Sequence, residues 1–170
     1  MITINGFPKS GLHALVKAVQ LLGQPAQVDH IPYGNPVEAK HIFIKRDPRN
    51  VVCSWLRFQG MPVTPGMFIT AFRKFQELSL IEEIAPFEGW LTDPNTHILR
   101  FEDLLASAAA MQDIALYLGV PYIPGAWEDL PGLTVTWFPD HSDFNTIWTQ
   151  EVQDVWAAEG GPALLTRWGY

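Results

Sequence analysis

The chain has 170 residues, enough for one domain with a packed core, and its 48% hydrophobic and 17% charged composition suits a folded globular protein rather than a disordered one. A formal charge of -7 at pH 7 gives no broad basic field, so neither nucleic acid nor a membrane surface is an expected partner. The single cysteine, Cys53, excludes an internal disulfide, and no apolar run suits a leader or a bilayer span; together these place the protein in the cytoplasm.

In chain order, Ile2 to Asn5 reads as a short apolar strand running into a loop that holds Gly6, Pro8, Lys9, Ser10 and Gly11. Leu12, Leu15, Val16, Val19 and Leu22 recur at helical spacing before Gly23, which predicts an amphipathic helix over 11–22. Ala26 to His30 is a candidate strand ending in the turn-rich Ile31-Pro32-Tyr33-Gly34. His41 to Lys45 has the short continuous apolar centre of a parallel strand covered on both faces. Asp47 then suits an N-cap and Pro48 a first helical residue, predicting a helix to about Phe58.

Thr64-Pro65 repeats that start signal, and Phe68, Phe72, Phe75, Leu78 and Ile81 predict one helix reaching about Ala85, followed by a loop from Pro86 to Pro94. His97 to Phe101 reads as a further strand. Glu102-Asp103-Leu104 leads from it to a helix from about Ala106 to Leu118, stopped by Gly119 and Pro121. The stretch 121–148 has little periodicity, Thr149 caps a helix to about Ala158, and the chain closes with Leu164 to Tyr170. Strands alternating with helices predict a single α/β domain over 1–170: a P-loop-like parallel sheet of about four to five strands with helices on both faces. Lys9, His30, Arg46 and Glu102 each follow a predicted strand, where such folds bind ligands.

The opening loop has the parts of an anion site: glycines that admit a phosphate to the main chain, the outward N–H groups of a helix N-terminus, and the Lys9 ammonium. The plainer reading is a strand-to-helix turn with Ser10 as N-cap. The loop satisfies Gly-x-x-x-x-Gly, but Leu12 and His13 stand where a P-loop NTPase has Lys and Ser/Thr, which disfavours an ATP-dependent kinase.

Pro8-Lys9-Ser10-Gly11, followed by Arg46 and Ser54 eight residues apart across a helix start, resembles the sulfotransferase family that uses 3′-phosphoadenosine 5′-phosphosulfate (PAPS). Arg46-Asp47-Pro48-Arg49-Asn50-Val51-Val52-Cys53-Ser54 is similar to the family's second motif, Arg-x-Pro-x-Asp-x-x-x-Ser, with Asn50 in place of Asp. Arg100-Phe101-Glu102-Asp103-Leu104, Asp143-Phe144, Trp148-Thr149-Gln150-Glu151 and Trp168-Gly169-Tyr170 are similar to later family segments, and Val28-Asp29-His30-Ile31-Pro32 to its Lys-Thr-His-Leu-Pro. The chain departs from the family at Leu12-His13, where paired threonines stand, and at Trp137-Phe138-Pro139, in the place of a C-terminal Arg-Lys-Gly.

The resemblance implies transfer of a sulfuryl group from PAPS to a hydroxyl or amine of a small-molecule acceptor, without metal. Pro8, Lys9, Ser10, Gly11, Leu12 and His13 would hold the 5′-phosphosulfate, and Arg46 and Ser54 the 3′-phosphate. Lys9 would stabilise the departing phosphate, and His30 would take the acceptor's proton. A non-catalytic nucleotide-binding or interaction protein of the same fold is the alternative. His30 equally reads as a turn histidine, His13 as an exposed first-turn residue and Glu102 as a helix-start charge or a fallback base, and Trp55 or Trp137 as a stacking ring. His41, His97 and His141 show no metal-ligand spacing, and no residue pattern sets an oligomeric state.

Overall fold

The structure is a computed structural model that describes residues 1–37, 40–133 and 143–170, without the side chains of Gly132, Leu133 and Asp143. In chain order its elements are β1 (Ile2–Asn5), α1 (Leu12–Leu21), β2 (Ala26–Asp29), β3 (His41–Lys45), α2 (Pro48–Phe58), α3 (Pro65–Arg73) and α4 (Leu80–Ile84). A 3₁₀ stretch (Ala85–Thr92) then precedes β4 (Thr96–Arg100), α5 (Phe101–Ala106), α6 (Ala108–Leu118), α7 (Ala126–Asp129) and a second 3₁₀ turn (Leu130–Leu133). The chain ends with α8 (Asp143–Ile147), α9 (Gln150–Ala158) and α10 (Gly161–Trp168). The chain divides into two compact units, Met1–Arg46 with Gly89–Phe138 and Asp47–Glu88 with Pro139–Tyr170.

The first unit is an α/β layer structure. Its strands are all parallel, in the order β2-β1-β3-β4, with helices flanking the sheet. Ile4 pairs with Ile42, and Ile44 with Leu99, so these side chains share one face. That face packs with Leu15 and Val19 of α1 and Met111 and Ile114 of α6 into one buried core. The alternate residues Thr3, Asn5, His41 and Phe43 are also buried, which explains why β3 reads as a continuous apolar run. From β1 the chain crosses to β2 on one side and later to β3 on the other. The carboxyl ends of β1 and β3 therefore flank the switch point at which open parallel sheets bind ligands.

The second unit is helical. Asp47 caps α2 by accepting from the Arg49 backbone N–H at 2.9 Å, Thr64 caps α3, and Thr149 caps α9, as their sequence signals predict. Phe68 and Phe72 of α3 pack on Trp156 of α9, and Trp148 closes the cluster.

Three expectations need correction. The single helix from Thr64 to Ala85 is two: Lys74 leaves helical geometry, the Phe75 N–H turns back to the Leu78 carbonyl, and a Ser79–Glu82 capping box starts α4. The expected stripe fails at Leu78, which is 53% exposed. The expected loop at Pro86–Pro94 is mostly 3₁₀ helix, anchored by the buried rings of Phe87 and Trp90. The segment from Phe101 to Leu118 forms two helices separated by the extended Ser107. The aperiodic stretch 121–133 holds α7 and the second 3₁₀ turn. Trp137-Phe138-Pro139 and His141 lie outside the described residues.

Candidate active site

β1 delivers the chain into the loop through Asn5, whose side chain is fully buried. Its Oδ1 accepts from the backbone N–H groups of Gly6 (2.8 Å) and Ile31 (2.9 Å), while Nδ2 donates to the Ile31 carbonyl at 3.0 Å. One amide thus clamps the start of the loop to the segment after β2. Trp90 Nε1 donates to the same Ile31 carbonyl at 2.8 Å and fixes that segment from a third direction. Gly6 has no room for a side chain, because a Cβ there would sit 2.5 Å from the Ile44 carbonyl oxygen.

The loop then closes a turn in which the Ser10 N–H donates to the Phe7 carbonyl at 3.1 Å. Lys9 takes a left-handed conformation (φ 69°), and Gly11 follows at φ 99°. Gly11, not Ser10, is the N-cap of α1, and among the described residues no side chain caps that helix. The plainer reading of Ser10 as a capping residue is therefore overturned: its Oγ is fully buried and has no hydrogen-bond partner among the described residues. The first N–H groups of a helix lack intrahelical acceptors and carry its positive end, and here no carboxylate occupies the first turn. Leu12 is buried in the core, so only its backbone is available to an anion, whereas His13 is exposed.

Arg46 follows β3 and is buried at the edge of this loop. Its Nη1 donates to the Lys9 carbonyl at 3.2 Å, and its guanidinium lies 4.7 Å over the ring of Phe101. That ring also presses on Gly11, where a Cβ would come within 2.2 Å of it. Phe101, from the start of α5, therefore supports both the cap of α1 and the guanidinium. Burial pushes the Lys9 ammonium below the ordinary lysine range.

His30 Nδ1 lies 2.9 Å from the Gly6 carbonyl oxygen. A carbonyl only accepts, so Nδ1 carries the proton, and in the neutral ring the lone pair stands on Nε2. The imidazole is exposed, with its backbone N–H bonded to Asp29 Oδ1. Pro8, Lys9, Ser10, Gly11, Leu12, His13, His30 and Arg46 all belong to the first unit. Ser54 is a half-buried residue of α2 in the second unit, where Cys53 is buried, Asp47 bonds the Arg49 guanidinium at 2.6 Å, and Trp55 packs on Phe75. Glu102 and Asp103 occupy the first turn of α5. Among the described residues no three His, Cys, Asp or Glu side chains cluster as a metal site requires, and no helix is long and apolar enough to cross a membrane. Sequence reading missed Asn5, Trp90 and Phe101; the only signal for Asn5 was a polar residue ending an apolar strand.

No family model matches the chain, and no curated protein matches it. Among solved structures the chain is similar to a mouse sulfotransferase, SULT7A1, complexed with PAP, with a TM-score of 0.60 and 18% sequence identity over 76% of this chain. The match spans 61% of the mouse chain, so this protein corresponds to about three-fifths of that length. At that identity the likeness establishes a shared fold: a parallel α/β sheet of the sulfotransferase type.

Proposed function

We propose that the protein is a PAPS-dependent sulfotransferase acting in the cytoplasm on a hydroxyl or amine of a small molecule. The observation that carries this reading is the buried Ser10 Oγ, which has no hydrogen-bond partner among the described residues, beside the N-terminus of α1, which no described side chain caps, in a loop whose Lys9 carbonyl is held by Arg46. An orphaned hydroxyl next to free helix N–H groups suits a phosphate or sulfate oxygen. The PAP in the similar mouse structure supports the same ligand class.

PAPS would supply an activated sulfuryl group. His30 Nε2 takes the acceptor's proton as the new bond to sulfur forms, and Lys9 stabilises the negative charge left on the phosphate as the bridging S–O bond breaks. Ser10 and the backbone of Gly11, Leu12 and His13 hold the 5′-phosphate. Arg46 keeps the loop in shape through Lys9, and the assignment of Arg46 and Ser54 to the 3′-phosphate rests on the motif resemblance. The absence of hydroxyls at Leu12 and His13 favours a second reading, a nucleotide-binding protein of this fold without turnover.

Thermal stabilisation by 3′,5′-bisphosphoadenosine, compared with ADP and ATP, tests the ligand class. The first should raise the melting temperature more than the other two, and equal responses overturn recognition of the 3′-phosphate. Lys9→Ala should then abolish transfer from PAPS. Tight binding with no transfer to any acceptor would favour the second reading.

A further inference from the structure

A groove of about 550 Å³ opens at the carboxyl ends of β3 and β4, lined in part by Lys45, Arg100, Asp103, Ser107, Ala109 and Ala110. It lies within the first unit, on the β4 side of the sheet, and none of these residues belongs to the Lys9 loop. Lys45 ends β3 and Arg100 ends β4, and the two are register partners, which sets two basic residues side by side on strands about 4.8 Å apart. The alanines at the start of α6 project little, so the space beside the pair admits a guest of ligand size.

Lys45 is half-buried. Burial foremost, and the Arg100 charge second, push its ammonium below the ordinary value of 10.5, while Glu102 and Asp103 pull the other way without cancelling the effect. A lysine so placed carries more unprotonated amine near neutrality than an exposed one, and that amine is a nucleophile. The Arg100 guanidinium stays charged at every physiological pH and draws an anionic reagent to the same place. Taking an acyl group would turn the lysine cation into a neutral amide and end its repulsion with Arg100.

We propose that Lys45 is a modification site, which takes an acyl group from an acyl phosphate seated in this groove with its phosphate toward Arg100. The Nζ lone pair forms a bond to the carbonyl carbon, the C–O bond to the phosphate breaks, the phosphate leaves with that electron pair, and the nitrogen releases one proton to solvent. The products are an N-acyl lysine and free phosphate. The site does not depend on the proposed sulfuryl transfer.

The test treats the folded protein at neutral pH with acetyl phosphate, and separately with the uncharged reagent p-nitrophenyl acetate, and follows acetylation of each lysine by peptide mass mapping. With acetyl phosphate, Lys45 should react about fivefold faster than the exposed Lys17 and Lys74, the scale of one ion contact in water. With p-nitrophenyl acetate that preference should shrink, because Arg100 no longer draws the reagent. Arg100→Gln should slow Lys45 toward the rate of Lys74. A Lys45 rate no higher than that of the exposed lysines, an equal preference with both reagents, or an unchanged Lys45 rate in Arg100→Gln each overturn the proposal. If Arg100→Gln does not fold, the comparison of the two reagents on the unaltered protein decides alone.

Discussion

The ring of Phe101 occupies the space that a Cβ on Gly11 would need, 2.2 Å from its nearest carbon. Gly11 is also at φ 99°, so alanine there meets both a clash and a strained backbone. Gly11→Ala should cost about 2 kcal/mol or more of stability in urea denaturation. Phe101→Ala on the same background should return the part due to the clash and leave the part due to φ, a non-additivity that a double-mutant cycle reads directly.

Removing the Ser10 hydroxyl should leave stability within about 0.5 kcal/mol, because Oγ makes no hydrogen bond among the described residues. If an anion uses that hydroxyl, affinity for 3′,5′-bisphosphoadenosine should fall about fivefold to tenfold in Ser10→Ala, measured by calorimetry. An unchanged affinity would remove Ser10 from the proposed site.

Asn5→Leu removes three hydrogen bonds at once and takes the acceptor from the Gly6 and Ile31 N–H groups, while the Ile31 carbonyl keeps its bond from Trp90 Nε1. The expected loss is about 2–4 kcal/mol. The milder Asn5→Asp keeps the two acceptor bonds but replaces the donor to the Ile31 carbonyl. If the proposed transfer takes place with His30 as its base, turnover should fall more than stability in that variant, because the segment bearing His30 shifts while the core stays packed.

His41 and His97 are both held below their ordinary value of 6.5 by burial, opposed by Asp93 and Asp113 respectively. The unfolded chain therefore binds more protons than the folded one as pH drops through that value, and stability should fall. Asp93, kept ionised by its hydrogen bonds to Asn95 and Thr96, costs stability only further down, below 3.8. The melting temperature should thus decline between about pH 7.5 and about 5.5, and His97→Phe, which retains a ring against Tyr117, should flatten that decline. A slope unchanged in that variant would assign the effect elsewhere.

What sequence reading captured was local chemistry with an unambiguous partner. Asp47 and Thr64, each followed by proline, start helices because capping depends on only a few adjacent residues. The β1–loop–α1 unit was legible for the same reason. Periodicity misled where it crossed a break: Phe68 and Phe72 do face the core, but the stripe was extended through Lys74 and Leu78, whose neighbours turn back on themselves. Asn5 and Phe101 escaped notice because their importance lies in contacts with residues 26 and 90 positions away, for which a single sequence carries no local mark.

Lys9 remains the residue at odds with its own backbone. A lysine at φ 69° sits in a region that costs a side-chain-bearing residue about 1–2 kcal/mol and a glycine almost nothing. Selection for thermal robustness alone would put glycine there, and Lys9→Gly should yield a protein that is harder to melt. Under the proposed function, the chain accepts a locally frustrated position to keep an ammonium at one point in space. Any stabilising redesign that relaxes this loop would discard what distinguishes it from an ordinary bend.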